Sequence, residues 1–250
     1  MSAPAPLARR IALQGGYETM CMLRNGEQLI LAIVLPLLAL VGLAVTPLLD
    51  PLTSPGTGRV DIATPGVLAL CAMSTAFTGQ GIATGFDRRY GVLRFLSTTP
   101  LGRTGLIAGK AVAVAVVLGL QVLVISAVAL LMGWSPSPAG IAVAILLLAL
   151  GAAAFTALGL LVAGTVRPEA TLAITNLLWI LLAAGGGIVI PPEALPGQLA
   201  GLVQLLPSGA LGEALRSALL AGQFNFTAFL VLAGWTVLSG VAAVRWFKWS

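Results

Sequence analysis

The chain has 250 residues, of which 58% are hydrophobic and only 8% charged, with a mean hydropathy of +1.04. A soluble domain carries roughly 25% charged residues, so this composition excludes one and places the chain in lipid as a single membrane domain. The net charge of +5 does not point to nucleic acid, because the basic residues flank apolar runs, as in a membrane protein facing an anionic leaflet.

The N-terminal segment, Leu7–Gln28, is too polar to cross. Leu7, Ile11, Tyr17, Met20 and Leu23 recur at near-helical spacing among Arg9, Arg10, Glu18 and Arg24. That pattern predicts an amphipathic helix lying on the membrane surface, weakened at Gly15-Gly16. Arg9-Arg10 is followed by Gln14, Gly15, Gly16 and Glu18 rather than an apolar h-region, so no cleavable signal peptide is expected. Six apolar segments follow, each near the 20 residues or so that a crossing helix needs. They are Leu29–Leu49, Pro65–Phe86, Leu106–Met132, Ala139–Val166, Thr171–Ile190 and Thr227–Trp246. The third and fourth are longer than a crossing requires and imply tilt. The expected fold is an all-α integral membrane protein with six transmembrane helices.

Lysine and arginine set the orientation. Arg9, Arg10, Arg24, Arg88, Arg89, Arg94, Arg103, Lys110, Arg167, Arg245 and Lys248 fall on one side of such a topology, and Arg59 and Arg216 on the other. The positive-inside rule then puts both termini in the cytoplasm. Trp134, Trp246 and Trp249 fall at span ends, where indoles favour the interface. Between the last two spans the sequence Pro191-Pro192-Glu193-Ala194-Leu195-Pro196 is followed by a piece from Ser208, read as N-cap, to Gly222, read as C-cap, with Glu213 and Arg216 paired at i, i+3. These predict short, broken extracellular or re-entrant helices over 191–222 rather than a seventh span.

The loop after the second span is the most informative stretch. On a helical wheel Phe86, Tyr90, Leu93 and Leu96 share one face and Asp87 and Arg94 another, with Pro100 ending the helix. A short amphipathic helix where two spans end suits docking to a soluble partner. A basic loop that only holds topology is the alternative. Gly105 to Lys110 resembles a phosphate-binding loop, but the glycine spacing is one residue short, alanine follows the lysine, and the stretch opens an apolar span; Lys110 is expected to snorkel to the inner interface. Among polar residues within spans, Gln121, Gln80 and Asn176 are candidates for a cargo path, with interhelical hydrogen bonding as the plain alternative. The run Gly185-Gly186-Gly187, with Glu213 and Arg216, is a candidate outer gate, since three glycines weaken the helix end. Cys21 and Cys71 lie at different depths and are expected to stay unpaired, and neither has metal-site spacing. No paired carboxylates or Ser-His pair are read, so no catalytic or metal residues are expected in this chain.

Several stretches together resemble the permease subunits of type-2 ABC exporters, in particular the daunorubicin-exporter-like branch. They are Leu23-Arg24-Asn25 ahead of a span holding Pro36; Phe86-Asp87-Arg88-Arg89-Tyr90-Gly91-Val92-Leu93 with Thr99-Pro100-Leu101 and Gly109-Lys110; Arg167-Pro168-Glu169-Ala170 before Asn176-Leu177-Leu178; and Pro191-Pro192-Glu193 with Leu206-Pro207 and Glu213-Ala214-Leu215-Arg216. The resemblance implies one transmembrane domain over 1–250. It implies that Phe86, Asp87, Arg88, Arg89, Tyr90, Leu93, Arg94 and Leu96 form a coupling helix seated in a separate ATP-binding cassette subunit. The N-terminal helix, with Arg9, Arg10, Tyr17 and Arg24, touches that subunit too. The resemblance further implies that ATP and magnesium belong to that partner, with no cofactor and no enzyme activity expected in this chain. A second permease copy or a homologous permease completes the path, in the cytoplasmic membrane, for a hydrophobic or amphipathic cargo such as a drug or lipid. Many relatives carry glutamate near position 94; Arg94 stands here, so the charge pairing with the ATPase does not carry over. A membrane-embedded enzyme or assembly factor, or a secondary transporter, would call for clustered titratable groups, intramembrane carboxylates or inverted repeats, and none is read.

Overall fold

The computed structural model describes residues 5–189, 191 and 198–247. Lys248, Trp249 and 192–197, part of the segment expected to break, lie outside the described residues. Among the described residues the chain is helical apart from turns and one isolated bridge between Ser54 and Thr57. In order these are α1 (Leu7–Arg24), α2 (Gly26–Val45), a 3-10 turn (Pro47–Leu52), α3 (Arg59–Met73), a π-helical turn (Ser74–Gly79), α4 (Gln80–Arg89), α5 (Val92–Ser97), α6 (Gly102–Leu131), α7 (Pro138–Thr165), α8 (Pro168–Gly185), α9 (Gln198–Gln204), α10 (Pro207–Ala221) and α11 (Phe226–Trp246).

Five helices among the described residues are long and apolar enough to cross a membrane: Arg59–Arg89, Gly102–Leu131, Pro138–Thr165, Pro168–Gly185 and Phe226–Trp246. The apolar stretch found in α2, Ala32–Val45, is shorter. Helix starts follow local chemistry. Pro138, Pro168 and Pro207 open α7, α8 and α10, where a missing N–H costs nothing. Asn225 caps α11 by accepting from the Ala228 N–H at 3.0 Å.

The helix Arg59–Arg89 is the central one, and most of its apolar stretch is buried, whereas α8 is the least covered. Val67, Met73 and Phe77 on it pack with Ile125 of α6, Leu147 and Phe155 of α7 and Leu211 of α10 in one apolar core. The helix begins six residues ahead of the expected Pro65 and holds the π-helical turn at mid-length. A Cβ on Gly159 of α7 would sit 2.6 Å from the Phe77 carbonyl oxygen, so glycine lets α7 meet the backbone of that turn.

The basic residues gather at one end. The Arg10 guanidinium donates to the Pro100 carbonyl, Arg103 to the Val244 carbonyl at 3.3 Å, and Arg88 to the Val166 carbonyl at 2.7 Å. Arg59 lies at the other end, where its Nη2 meets Asp50 Oδ2 at 3.0 Å. Asp61 ties that end together by accepting from the Gly58 N–H and from the Ser135 N–H and hydroxyl. Trp134 lies just beyond the end of α6, as expected of a span end, and is buried against the core there.

After α8 the described chain does not cross as one helix. It forms α9, breaks at Leu205–Leu206, and restarts at Pro207 with Leu206, not the expected Ser208, as N-cap. Gly222 closes α10 in the left-handed region at φ +66. Gly140 of α7 lies against the Ala218 carbonyl and Gly151 against Leu211. Helix α10 therefore runs along about 16 Å of α7, from its start inward.

Candidate functional site

The loop expected to form one amphipathic helix is broken. Helix α4 stops at Arg89, Gly91 adopts φ +75, and α5 restarts at Val92. A residue with a side chain seldom takes that conformation, so Gly91 turns the chain and rotates the wheel. The four residues expected on one apolar face separate as a result. Leu93 is buried against Leu101, Leu106 and Phe247, with Leu96 partly covered beside it. Tyr90 is 73% exposed and Phe86 is exposed and stacked on it, ring centroids 6.1 Å apart. Phe95, which the wheel did not single out, is 70% exposed. Together with exposed Arg89 and Arg94 these rings make an aromatic, basic surface at the basic end of the bundle.

Beneath that surface the charges turn inward. Arg88 donates to the Ala163 and Val166 carbonyls, the orphan acceptors that end α7. Asp87 pairs at 3.0 Å with Lys110, which also pairs at 3.0 Å with Glu18. Lys110 does not snorkel as expected. Its side chain is 0% exposed, because two carboxylates reach it and no water path is needed. The Gly105–Lys110 stretch, read as opening an apolar span, lies within α6.

Helix α1 runs unbroken through Gly15-Gly16 and packs on α6 by its polar and small residues. A Cβ on Gly109 would sit 2.7 Å from Gln14 Cγ and 3.3 Å from the Gly15 nitrogen, and this close crossing brings Glu18 to Lys110. Leu7, Leu13, Tyr17 and Met20 face outward, flanked by exposed Arg9 and Arg24. The Tyr17 hydroxyl titrates above its ordinary value, first because of its hydrogen bond to the Cys21 thiol. An open groove of about 270 Å³ lies between Arg10, Leu13 and Gln14 of α1 and Leu96, Pro100 and Leu101. Cys21 and Cys71 are unpaired.

The candidate path residues part company. Gln121 is buried, 1% exposed, inside the protomer rather than on an outer face. It accepts from the Thr75 hydroxyl at 2.8 Å and donates to the Ala32 carbonyl at 2.8 Å, tying α6 to the π-helical turn and α2. Gln80 is buried too and donates weakly to the Met22 sulfur at 3.4 Å. Asn176 is exposed on α8, among Leu172, Leu177, Ile180 and Leu181.

At the far end the structure brings most of the candidate gate together. Arg216 is buried, with Glu213 at 3.3 Å; it donates to the Gly187 carbonyl at 3.0 Å and the Ile188 carbonyl at 3.2 Å. Gly187 takes φ +70 just beyond the end of α8, which frees those carbonyls to turn toward α10. Gly186 lies against Ser208, while Gly185 has open space around its Cα. Glu18, Lys110, Phe95 and Thr75 take part in these arrangements and were not among the candidate site residues read from the sequence. The signal for the ion pair was a lone lysine near the start of an apolar span and a glutamate among the polar and small residues of α1.

A Bacillus subtilis (strain 168) protein, YvfS, named as a transport permease, is 33% identical over 88 residues, which are 35% of this chain and 36% of that protein. The match thus spans about a third of that relative's length. A family model described as ABC-2 type transporter matches residues 15–220. That span reaches from α1 through α10 and takes in both clusters just described, so the chain belongs to the ABC-2 type transporter family.

Proposed function

We propose that this chain is the permease subunit of an ATP-driven exporter in the cytoplasmic membrane, paired with a separate ATP-binding cassette subunit that carries ATP and magnesium. The observation that supports it most is the exposed surface of Phe86, Arg89, Tyr90, Arg94 and Phe95. It projects from the end of the central helix on a buried footing. Exposed aromatic rings ringed by arginine are the makings of a docking patch. A load applied there bears directly on the helix that fills the core. On this reading α2 supplies a sixth crossing, both termini are cytoplasmic, α1 lies in the inner interface, and α9 and α10 are re-entrant from outside. Asn176 on the least covered helix faces a second permease copy, where an amide in an apolar face finds a partner. The cargo is hydrophobic or amphipathic, and Arg216 latches the outer end.

Replacement of Tyr90 and Phe95 by alanine tests the docking role better than truncating Leu93, which is buried and would disturb folding. The double variant is expected to insert normally and to lose co-purification with a co-expressed ATP-binding cassette subunit. Undiminished co-purification would place the docking surface elsewhere.

A further inference from the structure

Three elements distant in sequence meet on one enclosed cation. Lys110 sits in the first turns of α6, Glu18 on α1 and Asp87 near the end of α4, with both carboxylates 3.0 Å from its Nζ. Gln14 donates to Glu18 at 2.9 Å and holds it in place. A buried ion pair adds little net stability over apolar packing, but removing one member leaves a charge uncompensated away from water. Its contribution is positional: the ammonium is satisfied only while both other elements are in register. Asp87 lies four residues before Gly91, so the lock sits at the root of the exposed aromatic face. Helix α1 meets α6 through Gln14, Gly15 and Glu18 and keeps Leu7, Leu13, Tyr17 and Met20 outward, so this charge is a main polar hold at that crossing, beside the Arg10 contact with Pro100.

We infer that Lys110 is a positioning residue that joins α1, the end of α4 and the start of α6 into one rigid lever beneath the docking face. Motion of the α4–α5 turn then carries α1 with it. The mechanical role rests on the permease reading above; the lock itself does not.

The test uses the full chain in lipid nanodiscs, with spin labels on the native Cys21 of α1 and on Ser97→Cys of α5, read by double electron–electron resonance. Cys71 is buried and does not compete. The unaltered triad is expected to give one narrow distance distribution. Lys110→Met should broaden it and shift it to longer distance. The triple variant Lys110→Met, Glu18→Gln, Asp87→Asn removes all three charges and should restore the narrow distribution, a rescue that lost packing at position 110 would not give. A triple variant as broad as the single one would overturn the inference. If Lys110→Met fails to insert, Asp87→Asn serves instead. It should broaden the distance between the α1 and α5 labels while the distance from Cys21 to a label at Val116→Cys on α6 holds, since Lys110 and Glu18 stay paired. Unchanged distributions in Lys110→Met or Asp87→Asn would also overturn it. Cargo-stimulated ATP hydrolysis, measured on unlabelled complexes, separates the two claims. Broadened distances with unaltered hydrolysis would support the lock and overturn its role in coupling.

Discussion

Gln121 and Arg216 show how one polar side chain in an apolar setting is made tolerable. Gln121 meets a hydroxyl and a carbonyl from two other elements, so its worth is that of interhelical hydrogen bonds in a membrane protein, about 1 kcal/mol. Gln121→Leu is therefore expected to insert well and to lower thermal stability modestly, by about that amount. Stability equal to the unaltered chain would mean that the amide makes no structural contribution. Arg216→Met strands more: two carbonyls lose their donor and Glu213 loses its cation. Two buried carbonyls left without a donor cost more than the loss of one interhelical amide, so this variant should melt below Gln121→Leu in the same assay. Nearly equal melting of the two would contradict the latch. Sequence alone placed Gln121 within an apolar span but could not show its direction, because a partner such as the Ala32 carbonyl leaves no mark in side-chain pattern.

At the scale of elements, hydropathy found the helices and missed their junctions. The apolar runs that became α6, α7, α8 and α11 are visible because lipid demands length and apolarity of every crossing. The π-helical turn and the break at Gly91 are not, since both depend on what packs against them. Gly91 did carry a signal, glycine being the usual residue where a helix ends in the left-handed region, and reading through it merged α4 with α5. That merger put Leu93 and Tyr90 on one face and hid Phe95. Gly91→Ala should cost about 1 kcal/mol from its positive φ and should weaken ATPase co-purification by disturbing the docking face. Full retention of co-purification would show that the turn tolerates remodelling. Gly159→Leu is expected to be worse for stability, since a Cβ there already meets the Phe77 carbonyl. A melting temperature unchanged by that variant would contradict the close approach of α7 to the central helix.

For the molecule as a whole, the charge bias in the sequence and the contacts in the structure agree on one basic end, built from Arg10, Arg88, Arg103 and Lys110. On the proposed orientation, in a Cys21→Ser background, Ser54→Cys should react with an impermeant thiol reagent from outside, and Ser97→Cys only after permeabilisation. The reverse pattern would invert the topology. Asn176→Cys in the same background should cross-link to a second copy if α8 lines the protomer interface; a chain that stays monomeric under cross-linker would move that interface to another helix. The central claim, that this chain moves cargo on energy supplied by a separate ATPase, is tested most directly by co-reconstituting the two in proteoliposomes with a fluorescent amphipathic cargo. The account predicts ATP-dependent cargo movement that needs both subunits and is lost, with cargo-stimulated hydrolysis, in the Tyr90→Ala, Phe95→Ala variant. Cargo movement by this chain alone, without ATPase or ATP, would contradict it.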